Sequence, residues 1–374
     1  MAPSIAFYEV SMNRVGIVGG AALLAASCAP LHAHADCFAD LAGREVCLPH
    51  PARRVVTIPM PSASTLIAVD GSAQRLVGMH PSSKKAIDEG LLGRMFPQAR
   101  AIDASVAGVG ADGFMPNVET LALLDPEVVV QWGDRGDDIV GPLRNAGLRT
   151  ALLRYGTEPL ARGNLTLMAD IAGKPERAKE LIAWRAATIA DIETKARDIP
   201  EARRLHVVYL QRAASGLAAA GANSYYDFYI RLVGARNAAD GLSSAPAISA
   251  EQIAQWDPDV ILLNGFEEKL TPARVYDDEI LSATRAARER RVYKMPIGGY
   301  RWDPPSQESP LTWMWLADLL YPELFHYDLR AEIVGAYRLL YGRTPSQADL
   351  DDVLRLSING DARFYDRFAA SASK

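Results

Sequence analysis

The sequence predicts an α/β protein of two similar lobes bridged by a long helix. Three observations carry that reading. Short β-branched runs alternate with helical stretches in both halves of the chain, the pattern of a mostly parallel sheet covered by helices. The alternation stops between Glu158 and Ala196, where no run suits a strand. Finally, a stretch of the first half recurs in the second: Val118-Glu119-Thr120-Leu121-Ala122-Leu123-Leu124-Asp125-Pro126 against Ala250-Glu251-Gln252-Ile253-Ala254-Gln255-Trp256-Asp257-Pro258, at one offset (251 − 119 = 258 − 126 = 132). Each copy reads as a helix stopped by Asp-Pro and followed by a buried strand.

Taken in chain order, the apolar run Val15–Ala26 follows Arg14. Its twelve residues are too few to cross a bilayer, which needs about 20. The run suits a secretory signal, with Ala33-His34-Ala35 as the cleavage site before Asp36. A competing signal, Leu24-Ala25-Ala26-Ser27-Cys28, would place a lipid anchor on Cys28. Cleavage after Ala35 leaves Cys37 and Cys47 flanking Asp40–Glu45, which reads as a turn between two short strands. In an oxidising compartment the two are expected to pair.

Arg54–Ile58 is β-branched, bounded by prolines, and reads as a buried strand. Ser62–Val69 reads as a helix capped by Ser62 or Ser64 and ended at Gly71. Further strands are read at Arg75–Met79, Glu127–Trp132 and Thr150–Leu153, with helices at Val118–Leu124 and Leu143–Ala146. Pro159 opens one helix, Gly173-Lys174-Pro175 breaks it, and a second runs to Ala196. Alternation resumes with strands at Leu205–Leu210, Val260–Leu263 and Arg291–Tyr293, and helices at Tyr226–Val233, Thr312–Leu320 and Ala331–Tyr341. The expected organisation is a signal peptide over 1–35, a first lobe over 36–157, a helical bridge over 158–199, a second lobe over 200–345 and a helical tail over 346–374.

Composition narrows the function. The 374 residues carry 40 basic and 45 acidic side chains, net −5, with no long basic run, so nucleic acid has no electrostatic footprint. Walker A, HExxH and GxSxG motifs do not occur. Gly108-Val109-Gly110-Ala111-Asp112-Gly113 fits GxGxxG but is followed by Met115-Pro116 and has no strand before it. It reads as a turn.

The chain resembles the periplasmic substrate-binding proteins of iron-complex and vitamin B12 ABC transporters over roughly residues 40 to 345. The carrying stretches are Asp40-Leu41-Ala42-Gly43-Arg44-Glu45-Val46 with Arg54-Val55-Val56, then Asn117-Val118-Glu119 through Asp125-Pro126, Gly234-Ala235-Arg236-Asn237, and Glu251 through Asp257-Pro258-Asp259-Val260. Tyr321-Pro322-Glu323, between Leu316-Ala317 and Leu324-Phe325, looks like the iron-complex branch. The resemblance implies a ligand cleft between the lobes, capture of a metal chelate (a ferric siderophore first, haem or a cobalamin-type corrinoid second), and delivery to an inner-membrane permease and its ATPase. No catalysis and no resident cofactor are expected. A chelate-processing enzyme outside the cytoplasm is the alternative, and the chain is expected to be a monomer. The family docks its permease through a Glu on each lobe. The matching positions here hold Thr65 and Arg231, so either other acids, such as Asp70 or Glu119, serve or the partner differs.

In doubly wound sheets ligands meet the carboxyl ends of the strands. The loops there are aromatic and basic, suited to a large, partly apolar chelate with anionic oxygens. The candidate ligand residues are Met60, His80, Trp132, Arg154 and Tyr155 in the first lobe. In the second they are Arg212, Tyr225, Tyr226, Tyr300, Arg301 and Trp302. Tyr300-Arg301-Trp302 lies between Gly298-Gly299 and Pro304-Pro305, where no periodicity buries it. No cluster of metal ligands is visible, so the metal stays unassigned.

Overall fold

The computed structural model describes residues 36–108 and 113–370. The signal segment, Cys28, and most of the GxGxxG stretch lie outside the described residues. Two sheets organise the rest.

In the first, β3 (Val55–Thr57), β4 (Leu76–Met79), β5 (Val128–Trp132) and β6 (Thr150–Leu153) are all parallel in the order β4-β3-β5-β6. The chain crosses from one side of β3 to the other, which makes a switch point at the carboxyl ends of β3 and β5. The second sheet has a parallel core of β7 (His206–Arg212), β11 (Val260–Leu263) and β12 (Val292–Lys294). Three short strands extend it: β8 (Leu217–Ala219) and β9 (Arg236–Asn237) on β7, and β10 (Ala247–Ile248) on β8. Both sheets are buried on both faces, as their continuous Val, Ile and Leu runs require.

The internal repeat holds element by element. Helices Val118–Leu124 and Ala250–Trp256 and the first residues of β5 and β11 all keep the offset (250 − 118 = 260 − 128 = 132). Asn117 and Ser249 cap the two helices by accepting from the backbone N–H three residues on. Asp125 and Asp257 end them in the left-handed region, at φ 43° and 40°. The following proline bars αR there, and Asp tolerates αL.

Between β6 and β7 run helices Glu158–Ala172 and Pro175–Ala196. Gly173, in the left-handed region, caps the first, and Pro175 sits in the first turn of the second. The first packs on helix Ser62–Asp70, the second on helix Ser309–Leu320, so the bridge is fixed to both lobes. Helix Ser62–Asp70 departs from its expected cap. Ser62 and Ser64 are buried inside it, and the Ser64 hydroxyl donates to the Pro61 carbonyl. Helix Pro81–Glu89 has no sequence forecast, because Pro-Ser-Ser-Lys-Lys lacks apolar spacing; Pro81 and the cap at His80 start it. After helix Leu329–Tyr341 the chain stays largely helical through Phe368. It is tied into the second sheet where the Asn359 side chain accepts from Lys294 N–H and donates to Lys294 C=O.

At the amino end, β1 (Asp36–Ala39) and β2 (Glu45–Leu48) form the expected hairpin. Cys37 lies directly opposite Cys47, and the two are bonded. Asp40 organises the turn by accepting from Ala42 N–H, Arg44 N–H and the Arg44 guanidinium. So short a closed loop contributes roughly 2–3 kcal/mol at most. Replacing both cysteines with serine should lower unfolding free energy by no more than that. Intact mass of the exported protein should show two hydrogens missing; free thiols there would contradict the pairing.

Candidate functional site

The carboxyl ends of the first sheet build an aromatic ladder. His80 follows β4, Trp132 ends β5, and Tyr155 follows β6. Phe114, on the segment before helix Val118–Leu124, fills the gap. Ring centroids run His80–Phe114 5.2 Å, Phe114–Trp132 5.6 Å and Trp132–Tyr155 5.5 Å, the last two edge to face. Gln131 positions Phe114 by donating to its carbonyl at 3.0 Å. The guanidinium of exposed Arg135 lies 4.5 Å from the Phe114 centroid and 4.6 Å from that of Trp132. At an exposed guanidinium such a contact contributes about 0.5–1 kcal/mol.

His80 forms the inner rung, and both its nitrogens are committed. Nδ1 accepts from Ser82 N–H and so caps helix Pro81–Glu89, while Nε2 donates to the Gly113 carbonyl. Burial lowers its pKa, keeping the ring neutral. Arg154 is exposed beside Tyr155 and Arg212 is exposed at the end of β7. Among the described residues, neither these two nor Arg135 has a carboxylate within 4 Å. Met60 is half-buried, at the wall of a cavity of about 20 Å³ where Tyr155 and Thr65 face Pro305 and Gln307 of the other lobe. That is room for one water.

Across from the ladder the second lobe presents tyrosines around one carboxylate. Tyr209 of β7 donates to Asp303 at 2.8 Å, and Gly265 N–H donates to the same oxygen at 2.6 Å. Tyr226 stacks on Tyr209 with centroids 4.0 Å apart, and Tyr229 packs edge-on to Tyr226. Tyr225 turns away from this group: its hydroxyl donates to Glu158 and accepts from Arg185 at 3.1 Å each. Burial, before any charge effect, pushes the Tyr155, Tyr209, Tyr225, Tyr226 and Tyr300 phenols upward, so they stay protonated at neutral pH.

The Tyr300-Arg301-Trp302 segment differs from its expectation as an open loop. The three side chains are 1–2% exposed; helices Leu329–Tyr341 and Ser309–Leu320 meet Gly298, Gly299 and Trp302, and Phe266 packs on the Arg301 guanidinium. Trp302 Nε1 donates to Glu308 at 2.8 Å, and Thr312 donates to the Trp302 carbonyl. Arg301 reaches across to the first lobe, pairing through Nη2 with Glu89 at 2.8 Å, while its Nε donates to Gly265 C=O. Among the described residues, Arg301 Nη1, Tyr300 OH, Asp303 Oδ1 and, on the ladder, Trp132 Nε1 are buried without hydrogen-bond partners. Buried polar atoms left in that state each cost about 1–3 kcal/mol, so this cluster favours a polar occupant. Other bridges join the two lobes here: Lys85 spans Glu89 and Glu268, and Tyr155 OH donates to Pro305 C=O at 3.1 Å.

The structure thus brings Trp132, Tyr155, Tyr226, Tyr300 and Arg301 to one place. It puts His80 behind them, Tyr225 and Trp302 into neighbouring networks, Met60 at the edge, and Arg154 and Arg212 on the rim. Residues not foreseen are Phe114, Arg135, Asp303 and Glu89. Among the described residues one group could hold a metal, Cys37 with Glu45 and Cys47, and its two sulfurs are already bonded to each other.

Residues 65–297 match the family model described as periplasmic binding protein. The chain belongs to the periplasmic binding protein family. It is similar to a periplasmic solute binding protein from Veillonella parvula DSM 2008, 32% identical, with 87% of this chain and 98% of that one covered at a TM-score of 0.78. The molybdate periplasmic binding protein MolA of Haemophilus influenzae shares the fold at 20% identity, over 83% of this chain and 99% of that one, TM-score 0.71. Among curated proteins the Fe(3+)-citrate-binding protein YfmC of Bacillus subtilis (strain 168) is 22% identical over 231 residues, 62% of this chain and 70% of that protein. The family is the one the sequence resembles, and its members are solute-binding proteins rather than enzymes. No described helix of this binding protein is long and apolar enough to cross a membrane. Of the two positions that the resemblance aligns with permease docking, Thr65 is buried, with its hydroxyl donating to Gln307 at 3.2 Å, and Arg231 pairs with Asp227 and Asp240. Asp70 is tied to Arg75 and Lys174, whereas Glu119 is exposed.

Proposed function

We propose that this binding protein captures an anionic metal chelate, a ferric siderophore or ferric carboxylate complex, and presents it to an inner-membrane ABC importer as a monomer. The supporting observation is the Phe114–Trp132–Tyr155 ladder with Arg135 laid over two of its rings, at the switch point of the first sheet. Flat apolar faces suit the organic part of a chelate, and guanidinium groups without carboxylate partners suit its oxygens. The chain is exported through its amino-terminal signal and cleaved after Ala35.

Arg135→Ala tests the site at an exposed position, where folding is not at stake. Losing a charged hydrogen bond weakens an anionic ligand by about 1.5–3 kcal/mol, roughly tenfold to a hundredfold in Kd. A thermal-shift screen with ferric citrate, ferric catecholates and hydroxamates, haem and cobalamin should find a ferric chelate that raises Tm, with the rise reduced in the variant. A rise with haem or cobalamin alone would reassign the ligand. An equal rise in wild type and variant would remove Arg135 from the site.

A further inference from the structure

Glu308 follows Ser306-Gln307 in a polar stretch that looks like surface, yet it is fully buried. Its carboxylate collects four donors. Gly299 N–H and Trp302 Nε1 donate at 2.8 Å each from the segment before it. Tyr337 OH, at 3.4 Å, and Tyr341 OH donate from helix Leu329–Tyr341. Gly298 and Gly299 have no positive φ that would demand glycine. They are small because a Cβ on either would collide with the Glu308 carboxylate and the Tyr337 or Tyr341 hydroxyl. The carboxylate is therefore built into the backbone of the segment that holds Tyr300 and Arg301. The neighbouring Gln307 links the same group to the first lobe: its Nε2 donates to Tyr341 OH at 2.8 Å, and its Oε1 accepts from Thr65.

We propose that Glu308 is a positioning residue of the ligand site, pinning Gly299–Trp302 so that Arg301 reaches Glu89 of the first lobe and Tyr300 is held beside it. This inference rests on the site assignment above but adds a residue that does not touch the ligand. The groups facing Glu308 are the hydroxyls of Tyr337 and Tyr341, the Trp302 indole and the Gly299 amide. Among the described residues no Lys, Arg or His forms an ion pair with Glu308, and the Asp349 charge also acts on Tyr337. All four donors point at the carboxylate, so the arrangement described is that of ionised Glu308. A proton on either oxygen turns an acceptor into a donor. The Tyr337 and Tyr341 hydroxyls can turn to accept a hydrogen bond from that proton; the amide and the indole can only donate, and their bonds to a neutral carboxyl are weaker than to a carboxylate, so the pin loosens. Burial pushes this carboxyl up to about 7, against the four hydrogen bonds, which places the change in the neutral range.

The test needs no ligand. In the full exported chain, the Trp302 indole and Gly299 amide resonances should titrate together with a midpoint near pH 7, and Glu308→Gln should abolish the titration. Flat resonances in wild type, or a titration that survives in the variant, would overturn the pin. Should Glu308→Gln not fold, Tyr341→Phe removes one donor and leaves the carboxyl. Its midpoint should then move to higher pH, and an unchanged midpoint would overturn the proposal. With ferric citrate as probe, the wild-type advantage in affinity over Glu308→Gln should grow about two- to tenfold from pH 6 to pH 8, the weight of one hydrogen bond. A constant advantage would mean a merely structural role. If ferric citrate binds neither protein, the ferric-citrate form of the chelate reading fails, while the resonances still decide the pin.

Discussion

Arg185→Met should destabilise the protein by about 3–5 kcal/mol, the range for breaking a buried ion pair from one side. Arg185 lies in the bridging helix at 1% exposure, and each of its three guanidinium nitrogens donates a hydrogen bond. Nε donates to Glu158 at 2.9 Å, Nη2 donates to Glu158 at 2.5 Å and to Tyr225 at 3.1 Å, and Nη1 donates to Ser306 C=O at 2.6 Å. The face of the group sits 5.1 Å from the Trp313 ring centroid. One side chain thus ties the start of helix Glu158–Ala172, helix Tyr225–Leu232 and the segment after Trp302 to the bridge. Burial alone would raise the Glu158 pKa; hydrogen bonds and charge from Arg185, with Arg162 and Tyr225, outweigh it and hold the carboxyl below its ordinary value. The ion pair's contribution is therefore present above the ordinary Glu range and lost as pH falls through the depressed value. In the variant, the buried carboxylate loses its main partner and its pKa rises, so acid relieves the penalty. Urea unfolding at pH 7.5 and pH 4.5 should show a larger loss at the higher pH. Adding Glu158→Met to Arg185→Met should recover part of it.

Trp302→Ala should cost a similar amount, about 3–5 kcal/mol, because it empties a fully packed indole site. Part of the loss is polar, since Glu308 gives up one of its four donors inside the protein. Trp302→Phe keeps most of the volume and isolates that part, expected at about 1–3 kcal/mol. Denaturant unfolding of both variants measures the two terms. If Trp302→Ala unfolds like wild type, the segment is not the packed element described.

Much of the fold is legible in the sequence because backbone chemistry leaves marks there. Asp-Pro after each repeated helix sets the stop, the β-branched runs set the parallel strands, and Gly173 with Pro175 sets the break in the bridge. The β7–β8 hairpin leaves no such mark: Ala213-Ala214-Ser215-Gly216 and Leu217-Ala218-Ala219 have weak strand preference, and pairing with β7 decides them. At the site, the aromatic residues at strand ends announce themselves, and Trp132, Tyr155, Tyr226 and Tyr300 do meet. Arg135 sits in Gly133-Asp134-Arg135-Gly136-Asp137-Asp138, which reads as a solvated charged turn; only the fold lays it over Phe114 and Trp132. The burial of Tyr300-Arg301-Trp302 and of Glu308 is likewise set from outside, by Tyr337 and Tyr341 of helix Leu329–Tyr341 and by Glu89 of the first lobe.

The most direct test of the account is a titration of tryptophan fluorescence with ferric chelates in wild type and in Trp132→Phe. Trp132 is the rung between Phe114 and Tyr155 and lies under Arg135. The account predicts saturable quenching by at least one anionic ferric chelate, with most of the quenching lost in the variant while the fold persists. No saturable response to any ferric chelate, or a response undiminished in Trp132→Phe, would contradict it.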